Sequence, residues 1–268
     1  MIEAVRIARA DRASTGAGML PTGMPGTMVL SKRHAYDRAQ MITPGRAIPK
    51  VEISGPVDPD CLPAGESTTQ VSIIDTDGNV VSLTQTLGRS FGGKVATPGL
   101  GFFYNNFLEA FRFDKPHCLG FLRRLAPCAN DMAPSILVHD DMTLIALGSP
   151  SSNRIPSILS GVISNLVDRG MGLQDSIEAP RVLWGGETSG NIEAEIAGAV
   201  TDTDVDALDS MDYELPLLRI HFPADPAYLA DFGGVNAALY NPTEGAYTGV
   251  VDGRRGGLAE GPRVVVGR

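Results

Sequence analysis

The sequence changes character at residue 68, and that change limits the fold more than any other feature. Upstream, residues 13–67 are rich in Gly and Pro and carry few periodic apolar runs. Downstream, TQVSIIDT (69–76) and NVVSLTQTL (79–87) are two β-type runs separated by Asp77-Gly78. An Asp-Gly pair between alternating apolar residues signals a hairpin, because both central positions of a tight turn favour φ > 0. A stretch as long as 13–67 without elements of its own is unusual in a compact domain. It reads as a wrapping loop, a linker or a functional segment.

Other elements fall on either side of this boundary. Ile2, Val5 and Ala8 have helical spacing, which predicts a helix over 1–12. SILVHDDMTLIALG (135–148) reads as a second hairpin turning at Asp140-Asp141. Ile155, Ile158, Leu159, Val162, Ile163, Leu166 and Val167 form one apolar face, so 153–169 reads as a helix, with Gly170 where a C-cap belongs. Short helices are expected over 173–179, stopped by Pro180, and over 203–211, with Val205, Leu208 and Met211 inward. The last strands are expected at 233–241 and 246–252. The order hairpin, hairpin, helices, strands suggests sheets packed between helical layers rather than a βαβ parallel sheet.

Composition excludes several classes of function. The 43% hydrophobic and 20% charged residues suit a globular chain with a sizeable core. The net charge of −9 argues against nucleic acid or an anionic membrane as the main partner. No stretch approaches the about 18 apolar residues of a membrane span. The first residues, MIEAVRIARADRAS, have no apolar core of the kind a signal peptide needs. Cys61, Cys118 and Cys128 match neither a disulfide framework nor a zinc site, and read as ordinary thiols. His34, His117, His139 and His221 have no metal-ligand spacing, so no metal is expected.

The residues with chemical promise begin at Glu66-Ser67-Thr68-Thr69-Gln70. A threonine hydroxyl is a poor nucleophile until a free α-amine on the same residue serves as its base. That requires a chain end at the threonine, at the start of a core strand. A threonine at such a junction is also common without any function. Its context carries more weight. TTQVSIIDTDGNVVSLTQTLGRSFGG (68–93), Asn105-Asn106, Met132-Ala133-Pro134-Ser135, Gly148-Ser149-Pro150 leading to Arg154-Ile155, Glu178-Ala179-Pro180-Arg181 and GVVDGRRGGLAEG (249–261) occur in this order. Together they resemble the small subunit of the γ-glutamyltransferases, and MIEAVRIARADR resembles the helix near the end of that family's large subunit.

The resemblance implies an α/β (α+β) fold, an incomplete αββα sandwich of two mainly antiparallel sheets between helical layers. It implies that 1–67 is the end of a large-subunit-like segment and that 68–268 is the catalytic domain. It implies self-cleavage between Ser67 and Thr68, with Thr68 as nucleophile and Thr86 as the second threonine that hydrogen-bonds it. The family's oxyanion hole uses the backbone of a Gly-Gly pair, whose places are taken here by Ser151 and Ser152. Backbone donors survive that change only where serine tolerates the local φ/ψ. Residues 148–154 also read simply as a helix N-terminus. No cofactor is implied.

The departures concern substrate recognition. Phe107 and Ala110 replace the residues that hold the α-amino group of a glutamyl moiety, next to Asn106. Gly88 replaces an asparagine, and Asn130-Asp131 replaces two serines, at the site for the α-carboxylate. Asp131 is expected to repel that carboxylate. Arg89 reads either as a new anion contact or as a solvated arginine on a turn, Phe107 either as the wall of an apolar pocket or as a core aromatic. A charged head group without partners binds poorly, so glutathione is disfavoured and a simpler amide or peptide is the expected small-molecule substrate. The family's precursors are several hundred residues longer and, in bacteria, are often periplasmic or secreted. Three readings follow: an autoprocessed hydrolase or acyltransferase, a truncated non-catalytic homologue or interaction subunit, or the catalytic half of a hetero-oligomer whose large-subunit part is supplied in trans.

Overall fold

The structure is a computed structural model, and it describes residues 1–14, 26–53, 67–111, 130–184, 192–196, 200–211, 213, 217–221 and 232–261. Cys61, Cys118, Cys128 and His117 lie outside the described residues. No described helix is long and apolar enough to cross a membrane.

The two expected hairpins are present. β1 (Ser67–Ile74) and β2 (Val80–Gly88) pair antiparallel. Their turn is wider than the two-residue form that Asp77-Gly78 suggests: Gly78 has φ +83, but Asp77 is not left-handed. Asp75 explains the difference. Its carboxylate accepts from the backbone N–H of Asp77 (2.9 Å) and Asn79 (2.8 Å) and from the Asn79 side chain (2.7 Å), so an Asx turn shapes the loop. β3 (Ser135–Val138) and β4 (Leu144–Gly148) form the second hairpin. β4 then pairs with β8 (Asn236–Asn241), and β8 with β9 (Ala246–Val251), giving an antiparallel sheet in the order β3-β4-β8-β9.

One face of this sheet carries the main core. α5 (Ile155–Val167) and α6 (Leu173–Glu178) cover it, with Ile155, Ile158, Leu159, Val162 and Ile177 packed against Leu147, Ala237 and Val250. Pro156 stands in the first turn of α5, where its missing N–H costs nothing. The opposite face of β4 and β8 receives the β1–β2 hairpin. Gln70, Ser72, Ser82 and Thr84 line the inner side of the hairpin. The Ser82 hydroxyl donates to Leu147 O (2.8 Å) and that of Ser72 to Asn236 O (2.9 Å), while Asn236 Nδ2 donates to Gln70 O (3.1 Å). The two sheets are therefore joined by small polar groups. The hairpin's outer side is apolar: Val71 faces Leu83 and Ile73 faces Val81 across the strands, each 42–50% exposed.

Helices, sheet and hairpin thus stack as layers, and an α/β sandwich is the observed class. A third sheet was not foreseen from the sequence. β5 (Val182–Trp184) pairs antiparallel with β6 (Ile192–Ile196), which pairs parallel with β7 (Leu217–His221). α1 (Ile2–Ser14) packs Ile2 and Val5 against Trp184 and Ile192 of this sheet. α7 (Asp202–Asp209) starts in a capping box between Thr201 and Asp204 and buries Val205. The segment expected to be irregular also holds three short helices, α2 (Gly26–Val29), α3 (Lys32–Ala39) and α4 (Lys50–Ile53). α3 buries no residue, so it has no apolar stripe to read. Polar contacts hold it: the Ser31 cap, Arg33 on Asp37, and His34 and Arg38 on Asp11.

Buried charge ties the layers at the end of the sheet where β4 and β9 finish and β8 begins. Asp252, with its side chain fully buried, binds Arg181 (2.6 Å) and Arg254 (3.1 Å), and Arg254 also forks onto Glu195 (2.8 and 2.7 Å). Both arginines donate to Ile177 O. Burial pulls the Arg181 guanidinium below its ordinary pKa, against the opposing pull of Asp252. The Ala-Pro-Arg and Asp-Gly-Arg-Arg segments of the sequence therefore act in holding β6, α6 and β9 together.

Candidate active site

Thr68 stands at the open end of the hairpin. It is 8% exposed and lies opposite Thr86 in the β1–β2 register, with a register shift between Ser67 and Thr68. Residues two apart share a face, so Thr68 points to the same side as Gln70, and Thr86 to that of Thr84. Thr86 Oγ1 accepts from Gly88 N–H (2.9 Å), and Thr84 donates to Gln70 Oε1 (2.6 Å). Gln70 presses on Gly148, where a Cβ would come within 2.2 Å of its Oε1. The N-terminal end of β1 and the C-terminal end of β4 therefore meet, and Ser149, Pro150, Ser151 and Ser152 continue directly from that end.

Ser151 (φ 106°, ψ 42°) and Ser152 (φ 51°) are both left-handed, a conformation natural to glycine. The turn keeps that backbone although two side chains oppose it, at a strain of order 1–3 kcal/mol for each residue. A 3₁₀ turn, Ser152–Arg154, follows and leads into α5. Arg154 N–H donates to Ser151 O (3.0 Å), and its guanidinium forks onto the buried Glu193 at 2.5 Å through Nε and Nη2. Ser149 is fully buried, with its hydroxyl on Pro150 O (2.8 Å) and accepting from Gly234 N–H (3.3 Å). Adjacent backbone N–H groups at a left-handed turn before a helix can receive a developing anion.

The expected substrate-binding residues divide into two groups. Gly88, Arg89, Asn106 and Phe107 are together. Asn106 N–H donates to Leu87 O (2.9 Å), and its Oδ1 accepts from Arg89 N–H (2.9 Å). Gly88, at φ +89, leaves room for it: a Cβ there would stand 2.2 Å from Asn106 Oδ1. Glu109 turns back onto this cluster. It accepts from Asn106 Nδ2 (2.6 Å) and pairs with Arg89, whose charge is thus engaged by the chain itself. Phe107 is half-buried at the start of the short 3₁₀ turn Phe107–Ala110.

Asn130 and Asp131 form the second group, and the Asp131 carboxylate is engaged by the chain's own arginines. The Asp131 side chain is 8% exposed and pairs with Arg12 of α1, with Arg9 at 3.8 Å. Arg12 also donates to Asn130 O (2.9 Å). The sequence reading missed Gln70 and Arg9 altogether. Gln70 is one of several polar residues in an alternating run, and Arg9 is one of several charges on α1.

The layering is that of the N-terminal-nucleophile hydrolases. The chain belongs to the gamma-glutamyltranspeptidase family, whose sequence profile matches residues 1–261. The acylase ACY 1 proenzyme of Pseudomonas sp. (strain V22) is 36% identical over 263 residues, covering 96% of this chain and 42% of that protein. The gamma-glutamyltranspeptidase from Pseudomonas nitroreducens complexed with L-DON superposes with a TM-score of 0.58 at 25% identity, over 73% of this chain and 100% of that one. The cephalosporin acylase from Bacillus halodurans shares the fold, with a TM-score of 0.66 at 20% identity over 94% of this chain and 42% of that one. The chain spans less than half the length of the curated relatives it matches.

Proposed function

We propose that this chain is the catalytic region of an autoprocessed amidohydrolase or acyltransferase, with Thr68 as its nucleophile. The observation that carries the reading is the packing of Gln70, two residues after Thr68, on Gly148, which brings the Thr68-Thr86 end of the hairpin to the segment that runs into the left-handed Ser151-Ser152 turn. Processing begins when the Thr68 hydroxyl attacks the carbonyl carbon of Ser67 and the acyl group shifts from nitrogen to oxygen. That shift breaks the C–N bond and frees the Thr68 α-amine; water then hydrolyses the ester, releasing the Ser67 carboxylate and restoring the Thr68 hydroxyl. The register shift at Ser67/Thr68 falls on the bond to be broken. In turnover the α-amine takes the hydroxyl proton as Oγ1 attacks the amide carbonyl. The N–H groups of Ser151 and Ser152 receive the oxyanion, and the Thr86 hydroxyl orients the nucleophile. The leaving amine departs with the proton, and water or another amine resolves the acyl-threonine.

The substrate is an amide-linked acyl group without an α-amino acid head. Phe107 offers no partner to an ammonium, Glu109 is occupied by Arg89 and Asn106, and Asp131 is occupied by Arg12. The likeness to an acylase proenzyme along nearly the whole chain supports this reading. A panel of anilides tests it: simple acyl anilides turn over faster than γ-glutamyl anilide, and the reverse order refutes the assignment. The half-exposed apolar face of the hairpin favours one addition. The catalytic region works with a further layer over Val71, Ile73, Val81 and Leu83, supplied by a longer chain or in trans.

A further inference from the structure

We propose that Arg9 is a positioning residue for the Ser151-Ser152 turn, so that the segment upstream of the Ser67–Thr68 bond stays part of the reacting site after cleavage. This rests on the proposed oxyanion role of that turn. Arg9 projects from α1 with its side chain 12% exposed. Its Nη2 donates to the carbonyl of Asn153, the residue that follows Ser152. The guanidinium lies 5.2 Å from the centroid of the Trp184 ring and 3.8 Å from Asp131 Oδ1. The ring fixes its plane, and the carboxylate offsets its charge. Arg154 grips Glu193 on the following residue. The turn is thus held from β6 on one flank and from α1 on the other.

Two features mark Arg9 as more than packing. Its Nε is buried with no hydrogen-bond partner, a cost that an apolar residue at the same place would not carry. Burial also pulls the guanidinium below its ordinary pKa, with Asp131 opposing and Arg12 assisting. What the side chain gains in return is the bond to Asn153 O. That carbonyl belongs to the 3₁₀ turn that converts two left-handed serines into the start of α5. A grip at this point fixes where the two preceding N–H groups aim, which matters only as charge develops in the transition state.

The test compares Arg9→Gln with Arg6→Gln in the full chain. Arg6 lies on the same helix, is also buried, pairs with Glu3 and stands over the Tyr213 ring. Amide hydrogen exchange at residues 151–153 and steady-state kinetics on the best acyl anilide are measured together. Arg9→Gln is expected to speed exchange there by about tenfold and to lower kcat by about tenfold or more, with KM within about threefold. Arg6→Gln is expected to leave exchange and kcat unchanged even where it lowers the melting temperature. If Arg9→Gln does not fold, Arg9→Lys, which keeps a cation beside Asp131, carries the same comparison. Exchange that responds equally, or not at all, in the two variants overturns the clamp. Faster exchange confined to the Arg9 variant, in a chain that hydrolyses no anilide, supports the clamp and refutes the enzymatic reading instead.

Discussion

At the scale of single residues, the informative positions are those where the chain departs from what its backbone would choose. Ser151 and Ser152 hold left-handed dihedrals against their own Cβ atoms, whereas Gly88 supplies room that Asn106 fills. Strain of this kind persists where the surroundings over-determine it. Ser151→Gly relieves it and, after the entropy of the added glycine, is expected to raise stability by about 1 kcal/mol in urea unfolding. A loss of stability would show that the Ser151 side chain contributes more than its backbone costs. That Thr68 and Thr86 stand on paired strands was legible from the two β-type runs about Asp77-Gly78; the register was not, because a two-residue turn there sets Leu87 opposite Thr68 and the Asx turn at Asp75 shifts it to Thr86. The engagement of Arg89 by Glu109 and of Asp131 by Arg12 was not, because both join residues whose separation in sequence carries no pattern.

At the scale of elements, legibility followed the source of each element's stability. The two hairpins and α5 announce themselves because apolar burial repeats with period two or 3.6. α3 buries nothing and is held by polar contacts, so its composition resembled a loop. β6 reads Ile-Glu-Ala-Glu-Ile and was not among the expected strands; both glutamates are 1% exposed, one under the Arg154 fork and one under Arg254. Arginines near the ends of other elements thus account for a strand that hydropathy alone conceals. This network gives a sharp prediction. Asp252→Ala leaves Arg181 and Arg254 short of a buried partner and is expected to cost about 3–5 kcal/mol, measured by urea unfolding. A loss below about 1 kcal/mol would mean that water reaches the arginines.

At the scale of the whole molecule, the layering is one-sided. The four-stranded sheet is covered by α5 and α6 on one face and by the hairpin on the other, and the hairpin's own outer face stays half-exposed. Covering its four aliphatic side chains is worth about 1 kcal/mol each. The folded chain is therefore expected to bind a dye for apolar surfaces, and Val71→Thr with Leu83→Thr to weaken that signal without unfolding the hairpin. An unchanged signal would place the sticky surface elsewhere. Everything proposed for the site, however, depends on one covalent event, because the Thr68 α-amine does not exist until the chain is cut. Intact-mass measurement of the purified protein reads that event directly. Two pieces, 1–67 and 68–268, are expected, with one uncut chain when Thr68→Ala is measured in parallel. A wild-type chain that stays whole through long incubation would contradict self-cleavage and leave the non-catalytic reading standing.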